Sequence, residues 1–135
     1  MTTEWVAAEL VPAEDRDAAP GAPVRLAAAR CSACGRCSFP ATGTCTWCGA
    51  TGSEPVPLSS GTAMAATAVL HRTPGSVVEV PYVIGLVRFA RAGLDVLGRV
   101  PGATDPAAVP AGTPLRVVAE SLPDGRMHYA FAVPR

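Results

Sequence analysis

The sequence is poor in several residue types, and each shortage argues against a class of function. None of the eleven basic residues is lysine, which reflects coding bias and carries no functional information. Aromatic residues make up 5% of the chain, so few side chains are available to stack on nucleic-acid bases. The formal net charge is +0, so the chain lacks the basic field that drives nucleic-acid binding through counterion release. These features argue against nucleic acid as the partner.

Long apolar runs are also missing. No stretch approaches the ~20 consecutive apolar residues that cross a bilayer. The opening "MTTEWVAAEL" lacks the basic region and the apolar run of a signal peptide. We therefore expect a cytoplasmic protein without a membrane partner. In that reducing compartment, clustered cysteines are metal ligands more often than disulfides.

The residues that are abundant predict a mainly β fold. Hydrophobic residues make up 49% of the 135 positions, and alanine and valine dominate them. A chain of this length allows one modest core, or one small domain with a metal-stapled module. We therefore expect a core built from small and β-branched side chains.

All five cysteines lie between residues 31 and 48. Cys31 and Cys34 form one C-x2-C pair, Cys45 and Cys48 form a second, and a glycine follows each pair. The two-residue spacing lets both sulfurs of a pair reach one metal, and glycine suits the tight turn that follows. Cys37 is spaced to pair with Cys34, but a serine follows it and the choice would break the symmetry of the two pairs.

We therefore predict that Cys31, Cys34, Cys45 and Cys48 bind one structural Zn2+ per chain, with Cys37 left outside the site. Four thiolates close the coordination sphere and leave no position for water or substrate. Iron in a rubredoxin-like site is the alternative that the spacing leaves open.

The chain divides into three segments by composition. Residues 1–23 are acidic and are expected to be helical or mobile, residues 24–58 form the zinc ribbon, and residues 59–135 form a barrel. The segment "EWVAAEL" suits a short amphipathic helix with Trp5 on its apolar side. It is either a frayed tail or a helix that docks on a partner through an exposed Trp5.

Five stretches beyond residue 60 have the alternation or the β-branched content of strands. They are "GTAMAATAVLHR", "PYVIGLVRFA", "LDVLGRV", "PLRVVAES" and "MHYAFAVP". A single helical turn, capped by Thr104, is expected between the third and the fourth. Five strands with a break at this place favour an OB-fold barrel, and a five-stranded sandwich is the alternative.

Few residues of the chain are suited to catalysis. His71 and His128 are the only histidines, the residue type most often used for acid–base catalysis near neutral pH. No Ser-His-Asp arrangement, glycine-rich phosphate loop or paired carboxylates can be recognised. Arg72 follows His71 in a loop and could meet a phosphate or a carboxylate. We therefore assign no catalytic residue to the chain.

The order of these features is similar to that of a known family. The residues that carry the resemblance are the two cysteine pairs with Phe39-Pro40 between them, His71-Arg72-x-Pro74, Pro81-Tyr82, and Gly112 to Arg116. Over residues 24–134 the chain resembles the zinc-ribbon/OB-fold accessory proteins of acyl-CoA metabolism, long described as a domain of unknown function.

The resemblance implies an N-terminal helical segment, a rubredoxin-like ribbon and an OB-fold barrel. It implies a non-catalytic subunit in a hetero-oligomer with a thiolase-like enzyme (a thiolase, aldolase or acyltransferase), to whose acyl-CoA path it contributes. It places His71, Arg72 and Tyr82 near the barrel rim, where CoA or the partner could be contacted. The alternatives are a stand-alone module that binds acyl-CoA or another small ligand, and a nucleic-acid-binding protein.

Overall fold

Residues 4–134 are described by a computed structural model. Three strands lie in the first half of the chain: β1 (Leu26–Cys31), β2 (Cys37–Ser38) and β3 (Ser53–Leu58). Five follow: β4 (Ser60–Val69), β5 (Tyr82–Phe89), β6 (Leu94–Arg99), β7 (Pro114–Ser121) and β8 (Met127–Ala132). They form two antiparallel sheets, with orders β2-β1-β3 and β6-β5-β4-β7-β8. The chain is therefore mainly β, as the composition predicts.

The larger sheet curls into a nearly closed barrel around β4. This strand pairs with β7 at its start and with β5 along its length, and the register shifts at Met64. The two ends of the sheet, β6 and β8, meet through side chains, since the Tyr129 hydroxyl donates a 2.6 Å hydrogen bond to the Leu97 carbonyl. Five strands in this order form the OB-fold that the sequence predicts, and the sandwich alternative is wrong.

The strand patterns read from the sequence correspond to burial. In β5, Val83, Gly85, Val87 and Phe89 all point into the barrel, while the residues between them are more exposed. One continuous core joins the barrel to the ribbon, because Leu26 of β1 is fully buried in the same cluster as Phe131 of β8.

The N-terminal segment departs from both interpretations of the sequence. Between residues 4 and 23, its helical character is limited to two 3-10 turns, Ala8–Leu10 and Ala13–Asp15. Trp5 is only 8% exposed, because it forms a bridge with Met127 and its indole N–H donates to the Arg16 carbonyl at 2.8 Å. The prediction that an exposed Trp5 docks on a partner is therefore wrong, because the indole is buried within this chain.

The stretch before β1 occupies an edge that the barrel leaves free. Beyond Arg116, β7 no longer pairs with β4. There Gly21 donates to the Ala119 carbonyl at 2.7 Å, and Val24 donates to the Val117 carbonyl at 3.1 Å. Pro23 of this strip forms a bridge with Val118, which is buried although it alternates along β7 with the buried Val117 and Ala119.

The predicted helical turn lies between β6 and β7, at Pro106–Ala108. Its cap is Asp105 and not Thr104, because the Asp105 carboxylate accepts from the Ala107 N–H at 2.9 Å. The cap is thus one residue later than predicted, since the short turn begins at a proline that already lacks an N–H. Over residues 4–134, no helix has the length and apolar character needed to cross a membrane.

Candidate metal centre

The two C-x2-C pairs fold into two knuckles with the same hydrogen bonds. In the first, Gly35 donates to the Cys31 carbonyl at 2.9 Å, and in the second Gly49 donates to the Cys45 carbonyl at 2.9 Å. Both glycines have a left-handed backbone, with φ of 80° and 78°. Residues with a Cβ rarely adopt this conformation, which is why glycine stands after each pair.

The knuckles bring four sulfurs together at the open end of the small sheet. The Sγ atoms of Cys31, Cys34, Cys45 and Cys48 all lie within 4.8 Å of one another. The Cys31–Cys48 and Cys34–Cys45 sulfur distances are 3.6 and 3.7 Å. A tetrahedral ion with metal–sulfur bonds of about 2.3 Å requires sulfurs roughly 3.8 Å apart, so the cluster fits such an ion.

Cys37 lies outside this cluster. It starts β2 directly opposite Arg30 of β1, and it is only 6% exposed. Cys37 therefore contributes no sulfur to the cluster, whose four members come from the two C-x2-C pairs.

Backbone N–H groups around the cluster favour thiolates. The pKa of Cys31 is lowered to about 6, chiefly by the N–H groups of Cys34 and Ala33. The pKa of Cys45 is lowered by the N–H groups of Cys48 and Trp47.

The pKa of Cys48 is shifted in the opposite direction. The Ala50 N–H acts to lower the pKa of Cys48, but the neighbouring sulfurs, Cys31 foremost, and burial outweigh it and raise the pKa to about 11. Such crowding of negative charge is what a bound dication relieves.

The three residues implied to face a ligand do not form one site. His71 and Arg72 lie in the exposed loop between β4 and β5, where Arg72 pairs with Glu79 at 2.8 Å. Tyr82 begins β5 and is half-buried, with the Arg99 guanidinium 5.3 Å from the centre of its ring.

Tyr82 lines a concavity of about 280 Å³ on the barrel, which we call the barrel concavity; its other lining residues are Val78, Ile84, Leu97, Gly98, Arg99, Glu120, Leu122, His128 and Tyr129. A half-buried ion pair crosses it, Arg99 to Glu120 at 3.2 Å. Burial raises the pKa of Glu120 against the opposing charges of Arg99 and His128. No sequence pattern predicts this pair, because Arg99 and Glu120 stand on different strands and meet only in the closed barrel.

Residues 54–120 match the sequence family described as the ChsH2 C-terminal OB-fold domain. The match spans β3 to β7, including the strands that curl around β4. No curated protein sequence matches the chain significantly.

Two solved structures extend the likeness to the ribbon that precedes the ChsH2-type domain. One, described as the Ltp2-ChsH2(DUF35) aldolase, is 24% identical with a TM-score of 0.65, over 81% of this chain and 84% of that one. The other is a protein of unknown function of the DUF35 family from Sulfolobus solfataricus. It is 21% identical with a TM-score of 0.53, over 82% of this chain and 76% of that one. Both establish a shared fold.

Proposed function

We propose that the chain is a non-catalytic accessory subunit that binds a thiolase-like enzyme and contributes to its acyl-CoA site. The observation that carries this proposal is the match of residues 54–120 to the ChsH2 OB-fold domains. The similar structure is that of an aldolase built from Ltp2 and ChsH2, in which a ChsH2-type chain accompanies a second protein. We place the complex in the cytoplasm.

The side chains support a role without catalysis. His128 is hydrogen-bonded through Nδ1 to the Tyr129 backbone carbonyl at 2.7 Å. Between residues 4 and 134, neither His128 nor His71 is hydrogen-bonded to a serine, a cysteine or a carboxylate. A nucleophile with an adjacent base is the arrangement that covalent catalysis needs. The chemistry is therefore assigned to the partner.

We infer that the four clustered cysteines hold one structural Zn2+. Four thiolates at tetrahedral distances leave no open coordination position, and the ion would join the two knuckles into one rigid tip. Binding of zinc to such sites contributes on the order of 10 kcal/mol to folding. Iron has the same ligand preference here and is separated from zinc by experiment.

The metal assignment is tested by elemental analysis of the purified protein. We expect one zinc per chain, no visible absorption from an iron–thiolate site, and loss of the metal in Cys31→Ser and Cys45→Ser. Cys37→Ser is the matched control and should keep one zinc. Zinc lost from the Cys37 variant, or iron found in the wild type, would contradict the assignment.

The acyl-CoA role is proposed to involve the rim of the barrel. Val78, from the loop that carries His71 and Arg72, lines the barrel concavity together with Tyr82. His71, Arg72 and Tyr82 would contact the ligand or the partner surface around it.

The partner is tested by purifying the protein from its native cells and identifying what accompanies it by mass spectrometry. We expect a thiolase-superfamily chain in a fixed ratio, with acyl-CoA turnover only in the complex. Tyr82→Ala and Arg72→Gln should weaken acyl-CoA binding by the complex several-fold. A monomer that takes up CoA esters alone would favour the stand-alone binding module, and salt-sensitive binding of single strands would favour a nucleic-acid role.

A further inference from the structure

A groove lies between the ribbon and the barrel, beside the turn that joins β5 to β6. It consists of two adjoining depressions of about 750 and 450 Å³ that share Arg30 of β1 and residues 90–92 of the turn. Arg36 of the first knuckle and Trp47 of the second line the smaller depression. We call this the junction groove. It exists only because the two parts of the chain pack side by side.

The junction groove carries positive charge that the protein does not neutralise. Arg30, Arg36 and Arg91 are exposed, and none of them forms an ion pair within residues 4–134. Glu54 lies across from Arg30 in the β1–β3 pairing, but no ion pair joins the two. Among residues 4–134, no carboxylate side chain lines either depression.

A fourth arginine in the groove behaves differently. Arg88 lines the larger depression, but Asp95 holds it at 2.9 Å and balances its charge. Three uncompensated guanidinium groups thus surround a concave space in a chain whose formal net charge is +0.

An aromatic surface completes the groove. Trp47 is 61% exposed, whereas Trp5 is buried. The Arg36 guanidinium lies 4.8 Å from the centre of the Trp47 ring, which holds this arginine at the groove. An exposed indole beside arginines offers a stacking face for a planar ring whose neighbouring group is anionic.

We propose that the junction groove binds a ligand of the nucleoside diphosphate class. Its phosphates contact Arg30, Arg36 and Arg91, because guanidinium groups bind phosphate oxygens through paired, charge-assisted hydrogen bonds. Its base lies against Trp47. All three arginines and Trp47 belong to this chain, so the proposal can be tested on the chain by itself.

The proposal is tested by calorimetric titration of the metal-loaded full chain at low salt. The probes are ADP, inorganic pyrophosphate and adenosine, and we expect affinity to fall in that order. Arg30→Gln, Arg36→Gln and Arg91→Gln should each weaken ADP binding by about tenfold or more, as expected for loss of a charged hydrogen bond. Trp47→Ala should weaken ADP but leave pyrophosphate unchanged.

The control is Arg126→Gln, an exposed arginine outside the groove that pairs with Asp124. It should bind ADP as the wild type does. Metal content and thermal unfolding confirm that each variant is folded. Three results would overturn the proposal: no binding of either phosphate probe, an equal loss in Arg126→Gln, or oligoglutamate binding more tightly than ADP with the same arginine dependence. The last would assign the groove to an acidic protein segment. Each result is independent of whether a thiolase-like chain co-purifies.

Discussion

The closure of the barrel can be tested at two glycines that face each other across β5 and β6. Gly85 and Gly98 are directly paired. Their substitutions to alanine therefore change neighbouring positions in the same pair of strands. A Cβ on Gly98 would lie 2.5 Å from Cε2 of Phe131 and 2.9 Å from Cε2 of Tyr129. A Cβ on Gly85 would meet nothing closer than 3.4 Å, from a Val100 methyl group.

We expect Gly98→Ala to destabilise the protein and Gly85→Ala to be neutral or stabilising. Phe131 is fully buried and packs against Phe89 and Tyr129, so its ring cannot yield without disturbing the core. Overpacking of this kind costs about 1–3 kcal/mol. Where the new methyl fits, replacing glycine by alanine gains about 0.4–1 kcal/mol by restricting the unfolded chain.

The measurement is thermal and urea unfolding of both variants with the metal bound. A difference of a few kcal/mol between them corresponds to roughly 4 °C per kcal/mol for a chain of this size. Equal stability, or a more stable Gly98→Ala, would refute the reasoning, because it would mean that β6 and β8 are not held together by ring packing at this point.

Two further predictions concern the stability of the protein: one compares the two tryptophans, and the other tests the ion pair of Asp15. Trp5→Ala should cost about 3–5 kcal/mol in urea unfolding, as for other buried aromatic residues, while Trp47→Ala should stay within about 0.5 kcal/mol; equal effects would contradict the placement of the two indoles. Asp15 receives three hydrogen bonds from Arg25, and the side-chain bond foremost lowers its pKa, against a smaller rise from burial. Asp15→Asn should therefore cost about 1 kcal/mol at pH 7, and the difference from the wild type should vanish as the pH falls below 3.8 through the lowered folded pKa. A difference that persists in urea unfolding at pH 2 would show that charge is not its source.

The sequence predicted the parts of this protein that depend on short spacings. A knuckle is formed within five consecutive residues, and its pattern is two cysteines separated by two residues and followed by a glycine. For the same reason, alternation within β5 separates its residues into two faces without knowledge of its neighbours, and the structure shows which face is buried. Five strand patterns with a break after the third predicted the OB-fold barrel, which the structure confirms. The family resemblance added the association with a second protein, which stays a prediction.

The structure alone decided where distant segments meet. Trp5 could be read as exposed because its partners, Arg16 and Met127, are brought to it only when the barrel forms. The same holds for Val118, which forms a bridge with Pro23 of the strip before β1, and for the Arg99–Glu120 pair. In the junction groove, Arg91 of the barrel stands far from Arg30 and Arg36 of the ribbon in the sequence. The three face one space only because ribbon and barrel share a core. Local spacing acts within one turn or strand, whereas these contacts depend on how the loops close and which faces pack together.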